Sequence, residues 1–175
     1  LPLKLPNFLN YPCLDGYVMC FVVAPAGADF SVLVDWMRER GMAADLDEEP
    51  YKALCDSLNL GSIGQLLSNP AQLVSALPAL AHSDAVLAAF LASMTATEAY
   101  DEGPRRPLLP GLVSTPTDLA NNPQLRARNW FRELEFDYLN ATVEFPGAPY
   151  RLSETPVVMA RPPRLGEHTD AVLAG

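Results

Sequence analysis

The side chains able to do chemistry are few and scattered. Arg126, Arg128 and Arg132 fall within one short stretch. Guanidinium groups match the planar, bidentate geometry of carboxylate and phosphate, so three of them on a helix running into a strand form a cationic edge for such an anion. The competing assignment gives them to Glu133 and Glu135 as solvated partners. The two histidines, His82 and His168, come without a GxSxG elbow. His82 is expected to sit solvated at a helix start, and His168 to make structural hydrogen bonds where a last short helix begins. Asp15 lies in the turn Leu14, Asp15, Gly16, where an aspartate's ordinary use is to shape the turn. Cys13, Cys20 and Cys55 are odd in number and form no CxxC pair, so they read as small buried hydrophobes of a reducing compartment. Neither a P-loop nor GxGxxG is present, and Gly61, Ser62, Ile63, Gly64 reads as a loop. From the residues alone there is no complete catalytic set and no metal site.

The composition bounds what these groups can serve. With 49% hydrophobic and 19% charged residues over 175 positions, the chain lies far from the balance that keeps a polypeptide disordered. Its 17 prolines predict many connectors without regular structure. The net charge of −9 is unevenly placed: residues 1–102 hold 4 basic and 13 acidic residues, residues 103–175 hold 8 of each. Every basic residue after Lys52 is an arginine. An acidic chain without a basic stripe is a poor ligand for nucleic acid, whose binding rests on neutralised phosphates. No apolar run approaches the roughly 20 residues of a membrane span and no signal-peptide pattern opens the chain, so the expected location is cytoplasmic. Its first residue, Leu1, suggests the downstream piece of something longer, or a processed subunit.

The elements that must position these residues follow from periodicity. Tyr17 to Val23 is an unbroken apolar stretch after a turn, predicting a strand buried on both faces. Asp29 is placed to cap a helix with Phe30, Leu33, Val34 and Met37 inward, closing at Gly41. A second helix puts Tyr51, Leu54, Cys55 and Leu58 on one face behind an acidic start and Pro50. A third opens at Ser68, Asn69, Pro70 and is expected to stop at Pro78; a longer one then starts at Ser83 with Leu87, Phe90, Leu91 and Met94 inward. Thr95 with Glu98 forms a capping box for a new short helix. A short strand over Leu108 to Val113 follows, then two short helices capped at Thr115 and Asn122, each with proline at the first helical position.

From Arg132 onward Leu134, Phe136 and Tyr138 alternate with acidic residues, a half-buried strand whose antiparallel partner carries Val143 and Phe145 across a turn at Leu139 and Asn140. The rest, from Pro146, is an extended tail with five prolines and the apolar residues Tyr150, Leu152, Val157, Val158, Met159 and Leu165. Unstructured stretches beyond about 12–15 residues are uncommon in a compact domain, so this tail is expected to pack on another chain or on a portion lying outside this one. The fold class is α+β: a small helical and strand domain over 1–113, then a hairpin and extended C-terminal segment over 114–175.

The ordered string Thr115, Pro116, Asp118, Leu119, then Asn122, Pro123, Gln124, Leu125, Ala127, Arg128, then Phe145, Pro146, Gly147, Pro149, then Leu152, Ser153, Thr155, Pro156, and Leu165 to Thr169 resembles the C-terminal part of the family III CoA-transferases. That family includes formyl-CoA transferase, carnitine CoA-transferases and alpha-methylacyl-CoA racemase. The turn and strand from Asp15, the helix bearing Trp36 and the cap at Thr95 match the family's preceding small domain. The resemblance implies that 114–175 completes a large nucleotide-fold domain supplied by an N-terminal half, which carries the catalytic aspartate and most CoA contacts. It implies coenzyme A or acyl-CoA as substrate, no covalently bound cofactor, and a homodimer or heteromer of interlocked chains with a companion half or subunit. No catalytic residue is assigned to this chain, and Arg126, Arg128 and Arg132 are the candidates for contact with CoA. The implied function is part of an acyl-CoA transferase moving CoA between carboxylic acids, inactive alone. A part of a racemase, or a non-catalytic interaction subunit of the same fold, is the alternative. The glycine-rich loop that some transferases place over the active site has no counterpart around Gly61 to Gly64, which sets the chain apart from the formyl-CoA type.

Overall fold

The computed structural model describes residues 10–20, 30–108 and 110–175. They belong to two units, Leu1–Val113 and Ser114–Gly175. The fold is α+β, mixing helices with two small antiparallel sheets.

In the first unit, the Cys13 amide donates to the Gly16 carbonyl at 2.8 Å and closes a turn. The turn joins β1 (Asn10–Pro12) and β2 (Tyr17–Met19), which pair antiparallel with Tyr11 opposite Val18. β3 (Gly111–Leu112) adds to the other edge of β2. The expectation of a strand buried on both faces is corrected over these residues. Tyr11 and Val18 are buried, whereas Tyr17 is 54% exposed, so this small sheet has one wet face. Phe21, Val22, Val23 and the capping residue Asp29 lie outside the described residues.

Helix α1 (Ser31–Glu39) turns Leu33, Val34, Trp36 and Met37 inward, the face set by the i, i+3, i+4 spacing. Gly41, at φ 68°, ends it in a conformation that favours a residue without Cβ. Helix α2 (Tyr51–Ser57) follows Pro50 and buries Cys55, with Tyr51 and Leu54 partly buried against the core.

Two helical expectations are corrected next. Gly61 to Gly64 is not a loop but part of α3 (Leu60–Ser68), held by a reciprocal capping box between Asn59 and Ser62. Serine replaced the usual glutamate or glutamine at the third position, which hid the signature. Pro78 does not stop a helix either: α4 runs unbroken from Pro70 to Leu91. Pro78 lies on the exposed side, where water can pair the carbonyl that the ring leaves without a donor. The result is a 22-residue helix which, by length and composition, is long and apolar enough to cross a membrane. Its face bearing Leu77, Leu80, Leu87, Phe90 and Leu91 is buried in the core of this unit.

Phe90 meets Trp36 edge-to-face with ring centroids 5.0 Å apart, and Tyr11 donates its hydroxyl to Asp84 Oδ1 at 2.7 Å, tying β1 to α4. Helix α5 (Ala96–Glu102) starts where Thr95 Oγ1 accepts from the Glu98 amide at 3.1 Å. The return half of the expected box is replaced: the Glu98 carboxylate accepts from Arg40 at 2.8 Å, and the Asp15 carboxylate takes the Ala96 amide at 2.7 Å. Asp15 thus satisfies an otherwise orphaned donor at a helix N-terminus.

In the second unit, Thr115 and Asp118 form a complete capping box for α6 (Pro116–Ala120). The Asn122 side chain caps α7 (Pro123–Ala127) by accepting from Gln124 and Leu125. β4 (Phe131–Phe136) and β5 (Ala141–Pro146) pair antiparallel with Leu134 opposite Val143. The hairpin closes at Asn140, whose left-handed conformation (φ 48°) an asparagine tolerates. Leu134 and Phe136 are buried, and the Phe145 ring stacks 5.7 Å from Phe136. Tyr138 departs from the expected alternation: it lies in the 3₁₀ turn Asp137–Leu139 and is exposed. Val143, expected inward, is also exposed. Beyond Pro146 the chain is extended until α8 (Thr169–Ala174), and Tyr150, Leu152, Val157, Val158 and Leu165 are exposed along it.

Candidate functional site

The three arginines singled out by sequence part company in the structure. Arg126, in α7, is consumed locally. Its guanidinium forks onto both oxygens of Glu144, donates from Nε to the Ala120 carbonyl at 2.6 Å and lies 4.5 Å over the Phe131 ring. This bond holds the Glu144 carboxyl below the usual carboxylate range. The contact pins α7 to β5 and leaves Arg126 no fork for a ligand. The assignment of these arginines to Glu133 and Glu135 is not found: neither glutamate pairs with them among the described residues.

Arg128 and Arg132 instead line one cavity of about 420 Å³, to which Arg151 of the tail adds a third guanidinium. Trp130, Tyr150 and Met159 supply much of its apolar wall. The backbone geometry that builds it is specific. The Trp130 amide donates to the Leu125 carbonyl at 3.0 Å, ending α7 and starting β4, while Asn129 takes a left-handed conformation (φ 51°). Across the hairpin mouth Gly147 passes so close that a Cβ there would lie 2.1 Å from the Trp130 carbonyl oxygen. Only glycine permits that approach. The tail then folds back: Arg128 donates to the Pro149 carbonyl at 3.3 Å, and Arg151 donates to the Arg128 carbonyl. Sequence reading missed Arg151 because it stands alone in a proline-rich stretch. The available signal was its place beside Tyr150 and Leu152, a cation among apolar residues that needed a surface.

The other chemically able side chains are engaged structurally. Cys20 is buried and its thiol is pushed up to about 12 by desolvation, and burial also raises Cys55, which lies 3.9 Å from Ser83 Oγ. Thiols so raised stay protonated and are poor nucleophiles. His82 is not at a helix start, as expected, but within α4, because that helix continues through Pro78. Its Nε2 lies 2.6 Å from Asp45 Oδ1 and its ring 4.3 Å from that of Tyr51. The bond holds the Asp45 carboxyl below its ordinary value. A His–Asp pair supplies an oriented base, yet the Asp45 carboxylate is the imidazole's one hydrogen-bond partner among the described residues, with no nucleophile joined to it. His168 precedes α8 exposed, and its side chain makes no hydrogen bond among the described residues, against the structural role expected for it. No group of three histidine, cysteine, aspartate or glutamate side chains converges among the described residues.

Comparison with known proteins places the chain in a family. The chain is 26% identical, over 93% of its own length, to the BbsE subunit of succinyl-CoA:(R)-benzylsuccinate CoA-transferase from Thauera aromatica, and it spans 37% of that protein. In fold it is similar to a CAIB/BAIF family protein from Brucella suis (TM-score 0.62, 16% identity, 98% of this chain and 38% of that one). It is also similar to Rv3272 from M. tuberculosis (TM-score 0.54, 21% identity, 96% of this chain and 40% of that one). The chain therefore spans well under half the length of the proteins it resembles. The description that covers it from residue 3 to residue 169 is that of CoA-transferase family III, and to that family the chain belongs.

Proposed function

We propose that this chain is the C-terminal half, or a separate small subunit, of a family III acyl-CoA transferase and is completed by polypeptide lying outside it. CoA thioesters are the substrates that the family implies. The observation that carries the reading is the tail. Val158 is 91% exposed, and Tyr150, Leu152 and Leu165, with Leu173 on α8, also stand exposed. Apolar side chains gathered this way mark a surface that another polypeptide covers. The chain's short span, 37% of BbsE, supports the same conclusion.

In the first half of a transfer of this family's kind, a carboxylate attacks the donor's thioester carbonyl to give a mixed anhydride and CoA thiolate. The thiolate then attacks the carboxylate's own acyl carbon, releasing the donor acid and leaving a protein thioester. In the second half the acceptor carboxylate attacks that thioester, and the expelled thiolate takes the acceptor's carbonyl in the new anhydride, which restores the free carboxylate. Such covalent relay divides one hard exchange into two easier steps. The family resemblance implies that the attacking aspartate belongs to the completing polypeptide; in this chain Asp15 is committed to the Ala96 amide and Asp45 to His82. The transferase activity for which BbsE is named favours transfer over racemisation.

The purified 175-residue chain, incubated with succinyl-CoA and an aromatic dicarboxylic acid, is expected to give no new CoA thioester by mass spectrometry. CoA exchange by the chain alone refutes the proposal.

A further inference from the structure

Seven of the ten arginines, from Arg38 to Arg164, hold an ion pair with an aspartate or glutamate. Arg128, Arg132 and Arg151 hold none among the described residues, and these three line the same cavity. No acidic residue among those described lines it with them. The chain carries 21 acidic side chains against ten arginines, and still these three guanidinia in one place meet no carboxylate among the described residues.

We propose that this cavity is an anion-binding site for an organic oxyanion carrying at least two phosphate or carboxylate charges on a flat or apolar body. Each guanidinium presents a planar fork of donors, and most of those forks are open. Arg128 and Arg151 each give one Nη2 to a backbone carbonyl, of Pro149 and Arg128 respectively, and Arg132 gives none. Those two backbone bonds fix the arginines before a ligand arrives, which lowers the ordering cost of binding. The volume of about 420 Å³ lies in the range of small-molecule sites, and Trp130 and Tyr150 add aromatic residues to its lining. Apolar walls beside the charges strengthen their field within the cavity. The ligand chemistry has two sources, the phosphates of a nucleotide and the carboxylates of an aromatic diacid. The choice of these two sources rests on the proposed function, while the site itself rests on the three arginines that hold no carboxylate among the described residues.

Calorimetric titration of the 175-residue chain, with any chain that co-purifies, tests it with 3′,5′-ADP and with phenylsuccinate. At least one is expected to bind with a Kd below about 1 mM. Arg132→Gln, which breaks no internal bond, is expected to weaken that binding about tenfold, and Arg132→Lys to weaken it less. Arg105→Gln, which removes one charge from an arginine 72% exposed elsewhere on the chain, is expected to leave it within twofold. Preference for the nucleotide identifies phosphate as the source, and preference for the diacid identifies carboxylate; either supports the site. Failure of both probes, or equal loss in the Arg105 and Arg132 variants, overturns it. Should Arg132→Gln not fold, Arg132→Lys and the two parent titrations still decide. The readout is binding rather than turnover, so an inactive transferase and an empty site give different results.

Discussion

Replacing Gly147 by alanine tests whether the hairpin mouth holds the tail against the end of α7. The added Cβ would meet the Trp130 carbonyl oxygen at 2.1 Å and its carbon at 3.3 Å, with Arg132 Cγ at 3.5 Å. The first two are backbone atoms, so no side-chain rotation relieves the contact. Either Trp130 or Gly147 must shift by about 1 Å, and overpacking of that kind costs about 1–3 kcal/mol. Because Phe131 pairs with Pro146 immediately before the clash, the shift would also open the last rung of β4 and β5. With a urea dependence of about 2 kcal/mol per molar, a loss of about 2 kcal/mol lowers the unfolding midpoint by about 1 M. The assay is urea unfolding followed by far-UV circular dichroism and by tryptophan emission. Gly64→Ala serves as the opposite case: nothing lies within 4 Å of the new Cβ and Gly64 is interior to α3, so about 0.5–1 kcal/mol is gained. A Gly147→Ala chain that unfolds at the parent's midpoint, with its tryptophan emission unchanged, refutes the close approach and with it the way the cavity is built.

Tyr11→Phe removes the fully buried hydroxyl's bond to Asp84 and is expected to cost about 1.5–3 kcal/mol in the same urea assay. Burial and Asp84 hold the Tyr11 hydroxyl well above its ordinary value, so its stabilising contribution is present below about pH 10 and is lost as pH rises further; a base-unfolding profile should lose that component in the variant. Glu167, held down to about 2 by the Arg161 fork and the Arg164 amide, acts in the other direction. Its contribution is present above about pH 4.5 and is lost as pH falls toward 2, so the protection factors of the α8 amides, taken relative to the intrinsic exchange rate at each pH, should fall over that window in the parent and be flat in Glu167→Gln.

Membership of the family was legible in sequence because its signals are local. The caps at Thr115 and Asn122, the Phe145, Pro146, Gly147 run and the Gly41 helix end each depend on conformational demands that neighbouring residues state for themselves. Strand alternation around Leu134 and Phe136 was readable for the same reason, since one face had to be apolar. The sequence also marked the tail as a segment whose apolar residues lack internal partners, and the exposed Val158 and Leu165 agree with that reading.

Only the tertiary structure decided which breakers break and which charges remain uncompensated. Pro78 was tolerated because its side of α4 faces solvent, a fact of packing that no window of sequence contains, and His82 moved from a helix end to a helix interior as a consequence. Arg126 and Arg128 look equivalent in sequence, yet Glu144, eighteen positions beyond Arg126, neutralises one and leaves the other. Arg151 reached the same cavity through a chain reversal that depends on Gly147 lacking a Cβ. Pairing of charges is settled by distances between elements remote in sequence. The sequence by itself determined the caps, the turns and the family, and the three-dimensional packing decided where a net-acidic chain keeps together three guanidinia that meet no carboxylate among the described residues.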